Sequence, residues 1–222
     1  MSDVRERWRT GRLEAISYDS VIEHEQLARV LGWLIWGTDT SLFYRELARV
    51  SDEPDGTTIL DIPCGGGVAF RGLRPAQRVR YVAADLSPVM LERARMEAKR
   101  RDLGQIEFTE ADVEALPFET GTFDLCLSYT GLHCFLDPAA GLAEMARVLR
   151  PGGMLRGSAV VKGAGLRQDA FVRLARQAGT FGPGGTLAEL DSWLAAAGMV
   201  EVTTHRNGAL AYFSALRSAA MS

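Results

Sequence analysis

The run Thr58-Ile-Leu-Asp-Ile-Pro-Cys-Gly-Gly-Gly67 constrains this chain more than any other stretch. An apolar strand without alternation is buried on both faces, which is the habit of parallel sheets. The glycines that follow let the backbone turn sharply and bring its N–H groups close to a ligand. Asp85 then stands at the end of the next strand-like run, Val79-Arg-Tyr-Val-Ala-Ala84. Strand, glycine-rich turn and acid after the second strand are the sequence form of a nucleotide-type cofactor site on an open α/β sheet. Asp61, placed ahead of the glycines, narrows the choice. A carboxylate there opposes a pyrophosphate and suits a cationic or amino-acid-bearing ligand. The dinucleotide pattern G-x-G-x-x-G is also broken, because Phe70 stands where its third glycine belongs.

Alternation of strands and helices runs through the rest of the chain. Strands are expected at 57–62, 79–84, 105–109, 123–128, 154–161, 199–205 and 209–216. Ser87-Pro88 caps a helix reaching Arg101, with Gly104 at its end, and Asp137-Pro138 opens another. A helix covers about 168–178, and Thr186 with Glu189 forms a capping box for the helix that runs to Ala197. Asn207-Gly208 joins the last two strands as a hairpin. Ahead of the first strand the periodicity is helical from Ser20 to Val50, broken at Gly37–Thr40, with Thr40 or Ser41 as the second cap. The expected fold is α/β: a doubly wound, mostly parallel seven-stranded sheet with an antiparallel C-terminal hairpin. At 222 residues the chain suits one domain, with 1–55 as an N-terminal helical lid and 56–222 as a Rossmann-like core.

Composition excludes several classes. A net charge of -3 argues against a nucleic-acid partner. The N-terminal cluster Arg5, Arg7, Arg9 and Arg12 is diluted by Glu6 and Glu14 and reads as a solvated arm. Cys64, Cys126 and Cys134 are odd in number and lack CxxC spacing, so neither a disulfide framework nor a zinc site is expected, and no other metal site is. The longest apolar run, Val30 to Trp36, contains Gly32 and is too short to span a membrane, and no secretory pattern precedes it. The expected location is the cytoplasm.

Ligands of such sheets lie outside the carboxyl ends of the strands. Gly65 and Gly67 offer backbone donors there. Asp85 can accept from both hydroxyls of a ribose, and Asp112-Val113 can accept from an exocyclic amine. Leu86 and Met90 supply an apolar floor for adenine, and Asp61 attracts an ammonium group. Each has a plainer reading: Asp61 as a loop cap, Asp85 as a helix cap (though Ser87 serves better), Asp112 as a turn residue.

These residues, with Ala111-Asp-Val-Glu-Ala-Leu-Pro-Phe118, Phe123-Asp-Leu-Cys-Leu-Ser128, Arg147-Val-Leu-Arg-Pro-Gly-Gly153 and the stretch from Leu187 to Met199, resemble the class I S-adenosylmethionine-dependent methyltransferases. Within them the resemblance is to the small-molecule group that includes quinone-biosynthesis C-methyltransferases, and it covers about residues 55–205. It implies a Rossmann-like methyltransferase fold and S-adenosyl-L-methionine as cofactor. Asp61, Cys64, Gly65 and Gly67 would line the methionine part, Asp85 the ribose, and Leu86 and Met90 the adenine edge. Asp112 and Val113 would meet the adenine amine, Ser128 would sit beside the sulfonium, and Tyr18 would close over the cofactor. Pro63 departs from the family, which has glycine there; it removes one backbone donor and restricts φ.

The acceptor side is less specified. His133, after the fourth strand, is the candidate general base for an acceptor that holds its proton near neutral pH. Tyr129 can contact cofactor or acceptor. Trp36 and Phe181 are candidate walls of an apolar acceptor cavity, with Trp33, Phe43, Tyr44 and Phe171 nearby in the pattern; helix-to-helix core is the alternative for each. The expected activity is methyl transfer to a small, apolar or aromatic molecule by in-line displacement. The competing reading is an S-adenosylmethionine-binding protein without transferase activity. Acceptor identity, the atom methylated and the oligomeric state are not encoded in readable form.

Overall fold

The structure is a computed structural model that describes Gly32 and residues 36–219. Eight strands occur among these residues: β1 (Thr58–Asp61), β2 (Arg80–Asp85), β3 (Ile106–Glu110), β4 (Phe123–Tyr129), β5 (Leu149–Lys162), β6 (Gly185–Thr186), β7 (Met199–Asn207) and β8 (Leu210–Arg217). The α-helices are α1 (Thr40–Ala48), α2 (Pro88–Arg100), α3 (Pro138–Val148), α4 (Leu166–Gln177) and α5 (Leu187–Ala196). The strand order is β3-β2-β1-β4-β5-β8-β7, and the two-residue β6 pairs with the end of β5. The order reverses between β1 and β4, so the crevice above that pair is the ligand position expected of this topology.

The central strands are buried on both faces, as their unalternating sequences demand. Ile59 and Leu60 of β1, Val82, Ala83 and Ala84 of β2, and Leu125, Cys126 and Leu127 of β4 are all sealed from solvent. One core joins this sheet to α1, α2 and α4 through Phe43, Leu47, Leu91, Ala94 and Val172. The other joins it to α3 and α5 through Leu142, Met145, Leu190 and Leu194. The doubly wound sheet is therefore as expected, with one refinement at its edge. β8 runs antiparallel to both β5 and β7 and lies between them, so β8 alone is reversed and β7 takes the outer place.

Local signals mostly hold. Ser87 caps α2 with Pro88 behind it, and Thr186 and Glu189 close the capping box of α5. Three details differ. Asp39, not Thr40 or Ser41, caps α1, because its carboxylate accepts from both Ser41 N and Ser41 Oγ. Asp102, at φ 57°, takes the left-handed position after α2 that was expected of Gly104. β5 begins at Leu149 rather than 154, since Pro151 and Gly153 continue an extended backbone that bends at Gly152, φ 76°.

α1 lies ahead of β1 and is tied to the sheet. Tyr129 donates from its hydroxyl to Glu46 O at 3.3 Å, and buried Arg156 pairs with Glu53 just beyond α1. The residues before 36 that the lid reading also covers, Tyr18 and Trp33 among them, lie outside the described residues, Gly32 excepted.

Candidate active site

The loop after β1 is tied to β2 by its own backbone. Cys64 N donates to Ala84 O at 2.8 Å, and Gly65 N to Asp85 Oδ2 at 2.9 Å. Ser87 N donates to the other oxygen, Asp85 Oδ1, at 2.8 Å. Asp85 is thus a buried carboxylate held by two backbone donors at the tip of its strand, and Ala111 N donates to its carbonyl at 3.0 Å. Gly65 (φ 53°) and Gly67 (φ 89°) take the left-handed conformations such a turn needs. At Gly67 space also matters: a Cβ would lie 2.5 Å from the Phe70 ring. Phe70, which broke the dinucleotide pattern, is fully buried directly beneath the loop. Pro63 follows a cis peptide bond and packs on the loop after β4, where a Cβ on Gly131 would meet its ring at 2.2 Å.

Asp61 is 1% exposed at the tip of β1. Its Oδ2 accepts a 2.8 Å hydrogen bond from the Tyr81 hydroxyl. Burial pushes its carboxyl up to about 7; the Tyr81 hydrogen bond opposes this, and the nearby charge of Asp85 adds to it. A cation in the crevice would reverse that shift and ionise the group.

The third wall comes from the loop after β3. Asp112 Oδ1 accepts from Glu114 N at 3.0 Å in a turn closed by Ala115 N to Asp112 O. Glu114 Oε1 in turn accepts from Leu136 N and Asp137 N, both at 2.9 Å, binding this loop to the one after β4. Val113 is buried in the α3-side core, Met90 is buried at the first turn of α2, and Leu86 is partly exposed beside it.

Beyond β4 the picture changes. Ser128 is fully buried, and its Oγ has no partner among the described residues. Tyr129 is spent on holding Glu46, and burial raises its pKa above the ordinary tyrosine value. His133 is 2% exposed in a short 3-10 turn (Leu132–Cys134). Its Nδ1 accepts from Val160 N at 3.3 Å, which places its proton on Nε2, and Nε2 has no partner among the described residues. Burial drives its pKa down to about 3. The base role expected for His133 does not fit this arrangement: one nitrogen is occupied, the other carries the proton, and the ring is sealed. Phe181 meets the His133 ring edge-on at 4.4 Å, and Trp36 stacks on Phe181 at 6.3 Å and meets Phe171 at 4.8 Å. Of the three expected acceptor contacts, Trp36 and Phe181 are thus brought together with each other and, through Phe181, with His133, whereas Tyr129 packs elsewhere, against Phe43.

The structure therefore gathers Asp61, Cys64, Gly65, Gly67, Asp85 and the Asp112–Val113 loop around the tips of β1, β2 and β3. Tyr81 was missed; its signal is a lone aromatic in the strand that ends on Asp85. Among the described residues no group of His, Cys, Asp and Glu is arranged to hold a metal ion.

Residues 60–156 match the family model of a methyltransferase domain. The matched span is under half of the chain and carries the central strands of the doubly wound sheet. Curated relatives are methyltransferases as well. A phthiotriol/phenolphthiotriol dimycocerosates methyltransferase of Mycobacterium leprae is 36% identical over 119 residues, 52% of this chain and 41% of the relative. The demethylmenaquinone methyltransferase of Thermus thermophilus is 42% identical over 98 residues, 44% of each. The aligned segments thus span less than half the length of these curated relatives. A geranyl diphosphate methyltransferase, solved with GPP and sinefungin, has the same fold, with a TM-score of 0.65 at 16% identity over 81% of this chain and 78% of that one. The match spans β1 to the middle of β5, so the methyltransferase domain contains every cofactor candidate named above except Tyr18.

Proposed function

We propose that the chain transfers a methyl group from S-adenosyl-L-methionine to a small apolar or aromatic acceptor. The observation that carries this reading is the pair of buried carboxylates, Asp61 and Asp85, at neighbouring strand tips beside a loop whose glycines free its backbone. The donor set fits the cofactor's chemistry. An acid at Asp61 suits the ammonium of the methionine part, and Asp85 suits ribose hydroxyls. The Asp112–Val113 loop meets the adenine amine, Leu86 and Met90 meet the adenine edge, and Cys64, Gly65 and Gly67 line the chain between; Ser128 stands at the β4 tip. When bound, the cofactor would supply an electrophilic methyl carbon on a positively charged sulfur. The protein's part is alignment and exclusion of water. His133, neutral and internally engaged, supports the walls and does not take the acceptor's proton. Trp36 and Phe181 form an aromatic boundary toward the acceptor side.

The apolar acceptor class is supported by the aromatic boundary and by relatives named for demethylmenaquinone and for phthiotriol/phenolphthiotriol dimycocerosates. Residues 56–222 would act as one catalytic unit with 1–55 as its lid, which α1 and its Tyr129 and Arg156 anchors support. A reducing, cytoplasmic setting fits Cys64, Cys126 and Cys134, which form no disulfide with one another. Among the described residues no helix is long and apolar enough to cross a membrane.

Calorimetry with S-adenosylhomocysteine, followed by a screen of phenols, quinones and fatty acids for S-adenosylhomocysteine release from S-adenosylmethionine, tests the reading. Binding and release with an apolar acceptor are expected. No binding at millimolar ligand would overturn it.

A further inference from the structure

Tyr81 is wholly buried near the start of β2, yet it carries a hydroxyl. In the parallel register Tyr81 lies opposite Ile59, and Ala83 opposite Asp61, so tyrosine and carboxylate share a face as diagonal neighbours. The Phe70 ring meets the Tyr81 ring edge-on at 5.7 Å and 83°, fixing the direction of the phenol. That direction ends on Asp61 Oδ2, 2.8 Å away. Phe70 itself rests under Gly67, so loop, phenol and carboxylate form one packed unit. A phenylalanine would fill the same core space; the hydroxyl has one visible use.

We propose that Tyr81 is a positioning residue of the cofactor site, whose hydroxyl holds Asp61 Oδ2 and leaves the other carboxylate oxygen to the ligand's ammonium group. This rests on the cofactor reading above. Titratable and charged groups surround the pair on each packed element. Burial raises the pKa of Asp61, and Asp85 on β2 adds to it. Cys126 and Tyr129 on β4 are raised chiefly by burial, with a smaller part from Asp61. Tyr81 is raised chiefly by burial, with smaller parts from Asp61, Cys64 in the loop and Tyr129. Arg156 on β5 acts on Tyr129 and is paired with Glu53. The hydroxyl is therefore the donor that favours the ionised carboxylate against burial and its neighbours. Its removal makes Asp61 harder to ionise and frees the carboxylate to turn.

The test is Tyr81→Phe, with two probes read by calorimetry from pH 5.5 to 8.5: S-adenosylhomocysteine, which carries the amino-acid part, and 5′-methylthioadenosine, which lacks it. The variant should lose ~10-fold or more in affinity for S-adenosylhomocysteine at pH 7. The pH at which affinity rises should move upward, and 5′-methylthioadenosine binding should stay unchanged. Equal losses for both probes, or an unchanged pH profile, would overturn the proposal. If S-adenosylhomocysteine fails to bind the native protein, it is the cofactor reading that falls. Should the variant not fold, proton release on binding S-adenosylhomocysteine to the native protein decides, measured in two buffers of different ionisation heat. Release at pH 6 that fades by pH 8 supports the proposal, and none at either pH refutes it.

Discussion

The two sides of the crevice are built in opposite ways. On the β1–β2 side, polar atoms are buried but engaged: Asp85 holds two backbone N–H groups and Asp61 holds a phenol. On the β4–β5 side, polar atoms are buried and left over: Ser128 Oγ and His133 Nε2 have no partner among the described residues, and the Phe181 ring packs edge-on against the histidine. An engaged buried charge is preorganised for a ligand, because its geometry costs nothing further to fix. A sealed neutral imidazole is instead a packing element with one hydrogen bond to spare. Position at a strand end is therefore not enough to assign a residue its role; the partners that fix it must be read as well.

The strongest way to break this comparison is Asp85→Ala. The variant loses the acceptor for Gly65 N and Ser87 N as well as the ligand's own donors. Hydrogen bonds to a charged group contribute about 1.5–3 kcal/mol each, so S-adenosylhomocysteine affinity should fall by ~100-fold. Calorimetry measures it. Affinity within about twofold of native would move the ligand off the β1–β2 side altogether.

A smaller effect is expected across the crevice. His133→Leu removes the acceptor for Val160 N in the middle of β5 and should lower the unfolding free energy by about 1–3 kcal/mol, read by urea titration. His133→Asn, which can keep an acceptor near the Nδ1 position, should recover part of that loss. Turnover per folded molecule, once an acceptor is found, should persist in His133→Asn. A drop of roughly a thousandfold there, with stability restored, would return the histidine to a base role.

The same contrast explains what was legible in the sequence. The acids and glycines of the β1–β2 side follow one another along local strand–turn–helix units, so their pattern is carried by near neighbours. Ser87, Asp137 and the Thr186–Glu189 box were readable for the same reason: a cap is a contact within a few residues. Tyr81 was not, since its meaning depends on the parallel register that sets it beside Ile59, a pairing across a crossover. Along the sequence it is one more β-forming aromatic. His133 stands where the sequence placed it, after β4, but the Val160 donor that engages its Nδ1 lies on another strand and left no local signal. β6 escaped notice since two residues carry no periodicity, and β8 was placed in its hairpin without showing that it would insert beside β5.

The finest test uses pH, where the two sides pull in opposite directions. His133 has its pKa lowered in the fold from 6.5 to about 3, so its contribution to stability is complete above 6.5 and is lost progressively as pH falls toward 3. Asp61 has its pKa raised from 3.8 to about 7, so its contribution is complete below 3.8 and is lost as pH rises toward 7. Between about pH 6.5 and 5.5 the two slopes oppose each other, and the native protein should be nearly flat. Each unit of pH within a group's window changes stability by at most about 1.4 kcal/mol. Asp61→Asn removes one slope, so the variant should weaken on acidification over this interval by about 1 kcal/mol. His133→Asn removes the other, so it should strengthen by a similar amount. Urea midpoints of the three proteins at the two pH values decide it. Parallel behaviour in both variants would mean that the carboxylate and the imidazole are not the opposed pair their surroundings make them.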